Sequence, residues 1–147
     1  MRKTVLLALC MLIIGTQIVG CSSFDTRVKG NELSYVKDKL ELGMSKTEVK
    51  ERFGRSYTNV DDEFDGHEMW RFDSVSEKGY IVVQETDHKV TVPYDRSGLL
   101  SGKLISQLFI GWTDDNLVRD VTVYYIEDGE IRIYYILSSG QTGELSV

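Results

Sequence analysis

A change of hydrophobic period at Gly54 constrains this chain more than any other feature of its sequence. Before it, apolar residues recur at the spacing of helices; after it they alternate, as in strands with a buried face. Leu33, Val36 and Leu40 fall at i, i+3 and i+7, which predicts a short helix over residues 32–42. Asn31 or Ser34 is placed to cap its start, and Gly43 breaks it. Ser45-Lys46-Thr47-Glu48 has the form of a capping box, in which the Ser45 hydroxyl and the Glu48 carboxylate satisfy backbone N–H groups left over by the first turn of a second helix. Met44 and Val49 have hydrophobic-staple spacing around it. Val49 and Phe53 lie one turn apart on the buried side, and Gly54 stands where a C-terminal cap glycine belongs.

Past Gly54, Trp70 and Phe72 alternate with Arg71 and Asp73 in a first strand, residues 80–84 read as a second, and Val90, Val92 and Tyr94 alternate in a third. Pro93, the sole proline, cannot donate a ladder hydrogen bond and marks this third piece as an edge strand or strand end. Residues 104–112 and 117–126 read as longer strands joined through Asp114-Asp115-Asn116. Asp128-Gly129, between Ile126 and Ile131, is a two-residue hairpin signal leading into a strand over residues 131–137. The Ser- and Gly-rich last ten residues are expected to fray. The expected fold class is α+β: two short N-terminal helices packed on an antiparallel β-sheet in two layers.

The N-terminus defines the compartment. Met1-Arg2-Lys3 is followed by an apolar run over residues 5–19, shorter than the roughly 20 residues a membrane span asks for. A positive start, a short apolar core and a small-residue exit describe a secretion signal. Its exit, Ile18-Val19-Gly20-Cys21, is similar to the lipobox of bacterial lipoprotein signals. That resemblance implies cleavage between Gly20 and Cys21 and lipid, including palmitate, on Cys21. The resulting organisation is a signal peptide over 1–20, a lipidated tether over 21–30 and one domain over 31–147. Cys10 leaves with the signal, so the domain has neither a disulfide framework nor a body thiol. Each buried acyl methylene contributes about 0.8 kcal/mol, enough for two or more chains to act as a lasting membrane anchor. Losing Arg2 and Lys3 moves the net charge from −6 to −8, a balance that excludes nucleic acid as a broad-face partner. Arg27 and Lys29, beside the anchor, are the local exception. Ser22 after Cys21 fits sorting to the periplasmic face of an outer membrane in a Gram-negative host. The mature length suits a single, monomeric domain.

Leu42-Gly43-Met44-Ser45-Lys46, Glu48-Val49 and Phe53-Gly54 resemble the signature of the SmpA/OmlA, or BamE-like, lipoproteins. A Trp-x-Phe strand (Trp70, Phe72) and a hairpin unit with Trp112, Asp114-Asp115-Asn116 and Leu117-Val118 follow in the family's order. Lys29-Gly30-Asn31-Glu32-Leu33 lies where the family carries its Gly-Asn tether. The likeness covers residues 29–74 closely and 104–126 loosely. It implies a helix pair packed on a three- or four-stranded sheet and assistance in the insertion of outer-membrane β-barrel proteins. Arg55-Ser56 replaces the family's Gly-x-Pro turn, residues 85–103 intervene between strands the family joins closely, and the strand over 131–137 is additional.

Little in the sequence carries catalytic chemistry. His67 and His88 are the only histidines, and a zinc site needs three or four convergent ligands. In Asp61-Asp62-Glu63-Phe64-Asp65-Gly66, Asp61, Glu63, Asp65 and Gly66 fall at positions 1, 3, 5 and 6 of a calcium loop. Position 12, which must be a bidentate Glu, is Phe72, so the segment reads as a polar connection, with a weak cation site as the alternative. No Gly-x-Ser-x-Gly or phosphate-cradling loop occurs, and carboxylate pairs in an acidic chain do not identify a glycosidase. No catalytic residue, metal or cofactor is expected, and the chain does not read as an enzyme.

Tyr124-Tyr125 and Tyr134-Tyr135 face each other across the Asp128-Gly129 turn, and each pair puts one tyrosine on each side of the sheet. With Trp112 they could form an exposed aromatic surface for a protein partner; the other reading is a sheet covered on both faces, with residues 85–103 as the cover. The expected function is a lipid-anchored envelope scaffold that binds an outer-membrane β-barrel assembly complex through protein contacts. An inhibitor or immunity-type lipoprotein covering a target protein is the alternative.

Overall fold

The computed structural model describes residues 32–62, 66–83 and 93–147. The signal segment, Gly20, Cys21, the tether, Asn31, His88, Val90, Val92 and the centre of the acidic loop fall outside the described residues.

The elements run α1 (Leu33–Lys39), α2 (Lys46–Phe53), β1 (Thr58–Asp61), β2 (Glu68–Val75), α3 (Arg96–Leu100), β3 (Leu104–Trp112), β4 (Val118–Glu127), β5 (Glu130–Ile136) and β6 (Thr142–Ser146). All six strands form one antiparallel sheet in chain order. This corrects the expected two-layer arrangement of an N-terminal helix pair on a small sheet. The molecule is dominated by its sheet, its helices are short, and α3 comes after β2. The expectation failed because it left out β1 and β6, which widen the sheet to six strands, and α3, which follows β2; both faces of the sheet are buried.

On the first face Trp70, Phe72, Leu108, Ile110, Trp112, Val121, Val123, Tyr125, Tyr134 and Ile136 share a cluster with Val36, Leu40, Met44, Val49 and Phe53. On the second, Met69, Phe109, Tyr124, Ile131 and Ile133 meet Tyr94 and Leu99 from the segment around α3. Strand alternation delivers these sets, and two bulges adjust it. Ser74 pairs with Ser106 but Val75 with Leu104, so Ile105 is the extra residue, and Leu104 turns to the second face. Gly111 pairs with Asp120 but Trp112 with Val118, so Arg119 is extra, and Val118 rejoins the first face with Val121.

The capping box forms as the sequence requires. Ser45 N–H donates to Glu48 Oε2 at 2.8 Å, and Glu48 N–H donates to Ser45 Oγ at 3.3 Å. The Ser45 N–H bond first, and then the Ser45 hydroxyl donating to the same oxygen at 2.7 Å, hold the Glu48 carboxyl below its ordinary value. α1 is capped differently from expectation: Glu32 is its N-cap, and it makes no side-chain cap. The Asp128-Gly129 hairpin has φ of 52° and 81° at its two turn residues, the left-handed pair a twisted two-residue turn needs.

Three local expectations are corrected. Residues 80–83 are not a strand; Tyr80 and Val82 instead pack against the second cluster, and the Val83 N–H is taken by the Asp95 side chain. β1 pairs with β2 where only an acidic loop was anticipated. The chain end does not fray: β6 pairs with β5 through residues 132–136 and 142–146, a polar edge strand with almost no burial to announce it.

Candidate functional site

The start of α2 is fixed to the β3–β4 turn by backbone bonds. Gly43 N–H donates to Val118 O (2.9 Å), Val118 N–H to Met44 O (2.8 Å) and Lys46 N–H to Asn116 O (3.3 Å), while Ser45 and Leu117 form an isolated antiparallel bridge. Lys46 and Lys50, one turn apart, therefore share a helix face that looks over the aromatic residues at this end of the sheet.

Tyr57 stacks on Trp70 with centroids 3.9 Å apart and planes at 14°, and Trp70 meets Trp112 edge-on at 4.6 Å. The Lys46 ammonium lies 5.4 Å from the Trp70 centroid and 5.3 Å from that of Trp112; Lys50 lies 4.9 Å from Trp70 and 5.7 Å from Tyr57. Such cation–π contacts contribute about 0.5–1 kcal/mol each at exposed sites. Glu68 ties the arrangement together, accepting from Lys46 Nζ at 2.5 Å and from Trp70 Nε1 at 2.8 Å. The Lys46 hydrogen bond is the main reason its carboxyl sits below the ordinary range. Trp112 Nε1 is buried without a hydrogen-bond partner among the described residues.

Beside these rings Thr47, Lys50, Glu51, Arg55 and Tyr57 line an open cleft. Two of its lining residues, Lys50 and Arg55, are cations. Lys37, Lys39, Lys46, Arg71, Arg119 and Arg132 each pair with a carboxylate, whereas Lys50 and Arg55 are in no salt bridge among the described residues. A rigid aromatic floor with two cations at its rim that make no direct salt bridge suits recognition of an anionic group. Sequence reasoning named the capping and core residues of this segment but missed Lys50, Arg55 and Tyr57 as a group. Two lysines one turn apart after a capping serine, followed by an arginine and a tyrosine, were the available signal.

The residues of the fold motif converge here. Met44, Val49, Phe53, Trp70 and Phe72 are buried in one cluster, Ser45 and Glu48 form the cap, Gly54 (φ 86°) closes α2, and Gly43 (φ 81°) lies in the turn between the helices, beyond the Leu40 C-cap of α1. The expected aromatic partner surface does not form. Trp112 and Tyr124 are 2% and 1% exposed, and Tyr125 and Tyr134 are buried on the first face. Tyr124 stacks on Tyr94 at 4.2 Å, and half-buried Tyr135 packs over Gly143, where a Cβ would meet its hydroxyl at 2.3 Å. Helix and turn residues cover one end of each pair, and residues 93–100 cover the other.

A second polar feature is internal. Asp95, fully buried, accepts from Gly98 N–H (2.7 Å), Tyr80 O–H (2.8 Å) and Val83 N–H (2.9 Å). Its own N–H donates to Gln107 Oε1 (2.6 Å), and Gln107 Nε2 donates to Asp73 Oδ1 (2.6 Å), which Arg71 also approaches at 3.0 Å. This network fastens residues 80–83 and α3 onto the second face.

At the opposite edge Asp62 pairs with Arg119 (3.2 Å), and His67 lies 3.7 Å from Asp114. Glu63 and Asp65 of the possible cation loop lie outside the described residues. Among the described residues no group of three or more His, Cys, Asp or Glu side chains could hold a metal ion, and no helix is long and apolar enough to cross a membrane. Compared with models of known families, with curated proteins and with solved structures, the chain matches none.

Proposed function

We propose that the protein is a lipid-anchored accessory of the bacterial envelope, held by Cys21 and acting through protein–protein contacts on the machinery that assembles outer-membrane β-barrels. The observation that carries this reading is spatial. The segments that resemble the SmpA/OmlA lipoproteins, residues 42–54 and the Trp70-x-Phe72 strand, supply Thr47, Lys50, Glu51 and the Trp70 ring of the lysine–aromatic cleft, and Arg55 and Tyr57 complete it from the turn where the chain departs from that signature. A motif that served packing alone would account for Val49, Phe53 and Phe72. It would leave unexplained two lysines held over the rings and the placing of Lys50 with Arg55 in one cleft.

Deletion of the gene in its host tests the proposal. The expected result is lower levels of outer-membrane barrel proteins and greater sensitivity to large antibiotics that the intact outer membrane excludes. Normal values of both would remove the assembly role. Crosslinked recovery from membranes of a secreted enzyme or toxin, in place of assembly components, would turn the reading toward an inhibitor or immunity-type lipoprotein.

A further inference from the structure

We infer that the cleft between α2 and Tyr57 holds an acidic segment of a protein partner, with carboxylates on Lys50 and Arg55 and an adjacent apolar side chain against Tyr57. The inference rests on the proposal that the protein works through protein contacts, and adds where and by what chemistry it does so.

Charge complementarity argues for this occupant. In a chain of net charge −6, Lys50 and Arg55 make no salt bridge within the described residues, so both cations are available to a partner. Lys50 is also held in place, its ammonium 4.9 Å from the Trp70 centroid, so little side-chain entropy remains to be lost on binding. Arg55 is exposed, and its planar fork matches a carboxylate bidentately. Glu51 lines the same cleft and Glu68 lies behind Lys46, so the positive field is narrow. It fits one or two carboxylates on a single extended segment, while a densely charged lipid surface or nucleic acid would meet the acidic remainder of the molecule. Stacked Tyr57 supplies a fixed aromatic wall for an apolar neighbour of those carboxylates.

The test places a photo-crosslinking amino acid at Thr47, an exposed residue lining the cleft, in the full-length protein expressed in its host. The crosslinked peptide is then sequenced by mass spectrometry. The expected adduct is a protein segment carrying at least two Asp or Glu beside an apolar residue. Its yield should fall about tenfold in the Lys50→Glu/Arg55→Glu variant, the equivalent of losing one charge-assisted contact, and survive in Lys50→Arg/Arg55→Lys. Unchanged thermal unfolding of the variants establishes that the fold is intact. A neutral or basic segment, a lipid adduct, no adduct, or a yield indifferent to charge reversal would each overturn the inference. If deletion lowers barrel-protein levels and Lys50→Glu/Arg55→Glu restores them fully, the cleft assignment fails while the envelope role stands. If deletion has no effect but the acidic adduct forms, the envelope role fails and the cleft assignment stands.

Discussion

Asp95→Asn is the substitution whose consequence follows most directly from the geometry. The carboxylate uses both oxygens: Oδ1 accepts from the Gly98 N–H, and Oδ2 accepts from the Tyr80 hydroxyl and the Val83 N–H. Asparagine has the same shape but one oxygen and one NH2 group. If its oxygen faces Gly98, its NH2 meets the Val83 N–H; if it is flipped, its NH2 meets the Gly98 N–H. The Tyr80 hydroxyl can rotate to accept, but a backbone N–H cannot, so one donor loses its partner in either orientation. A hydrogen bond to a charged group contributes about 1.5–3 kcal/mol and an orphaned buried donor costs about 1–3 kcal/mol, partly offset by no longer burying a charge. The expected net loss is about 2–4 kcal/mol, or a fall in Tm on the order of 10 °C for a domain of this size. Circular dichroism during heating and urea titration reads both. Faster hydrogen exchange at the Val83 and Gly98 amides should accompany the loss. A Tm unchanged from the parent would refute the assignment of Asp95 as the anchor of the second face.

Other outcomes follow from the same structure. Ser45→Ala removes the cap that accepts the Glu48 N–H and should cost about 1 kcal/mol by urea unfolding, with no change in m. Glu48 and Glu68 titrate below their ordinary values, so the stability they lend is complete above the ordinary carboxylate range and is lost as pH falls through the lowered values. Glu48→Gln should therefore flatten the acid limb of stability against pH; an unchanged limb contradicts the capping role. In Gly111→Ala the new Cβ would lie 2.6 Å from Asp120 Oδ1, a carboxylate held by Arg119 at 2.5 Å. It should destabilise by about 1–3 kcal/mol, and adding Asp120→Ala should recover part of that loss. Lys37→Met breaks an exposed pair with Glu144 and should change stability by less than about 1 kcal/mol, since such pairs are screened by solvent.

What could be read in the sequence was what local chemistry determines. The capping box, the Gly54 break and the Asp128-Gly129 turn each depend on a few adjacent residues and each formed in place, whereas the first helix, expected to run to Gly43, stops at Lys39 with Leu40 as its cap. β3, β4 and β5 were legible because apolar residues fill them, and β3 has the bounds expected for it. β6 was not, because Thr142–Ser146 gains its place from pairing with β5 and not from burial. α3 spans only Arg96–Leu100, contains a glycine and depends on the buried Asp95 for its cap, so no periodicity could declare it. The covered second face stood in the sequence only as one of two open readings, for a related reason. Its cover is held partly by a polar network, and Gln107, a lone amide in an apolar strand, was the one visible trace of it. The cleft escaped because its parts come from α2, the turn after it and β2; only the fold brings Lys50 and Tyr57 to Trp70.

The anchor comes first, since it sets the compartment and the class of partner the cleft can meet. Metabolic labelling with palmitate, comparing the parent with Cys21→Ala, tests it directly. The expected result is label on the parent in the membrane fraction and none on Cys21→Ala, which should keep an uncleaved signal. Equal labelling of the two, or an unlabelled parent, would contradict the anchor and with it the envelope role.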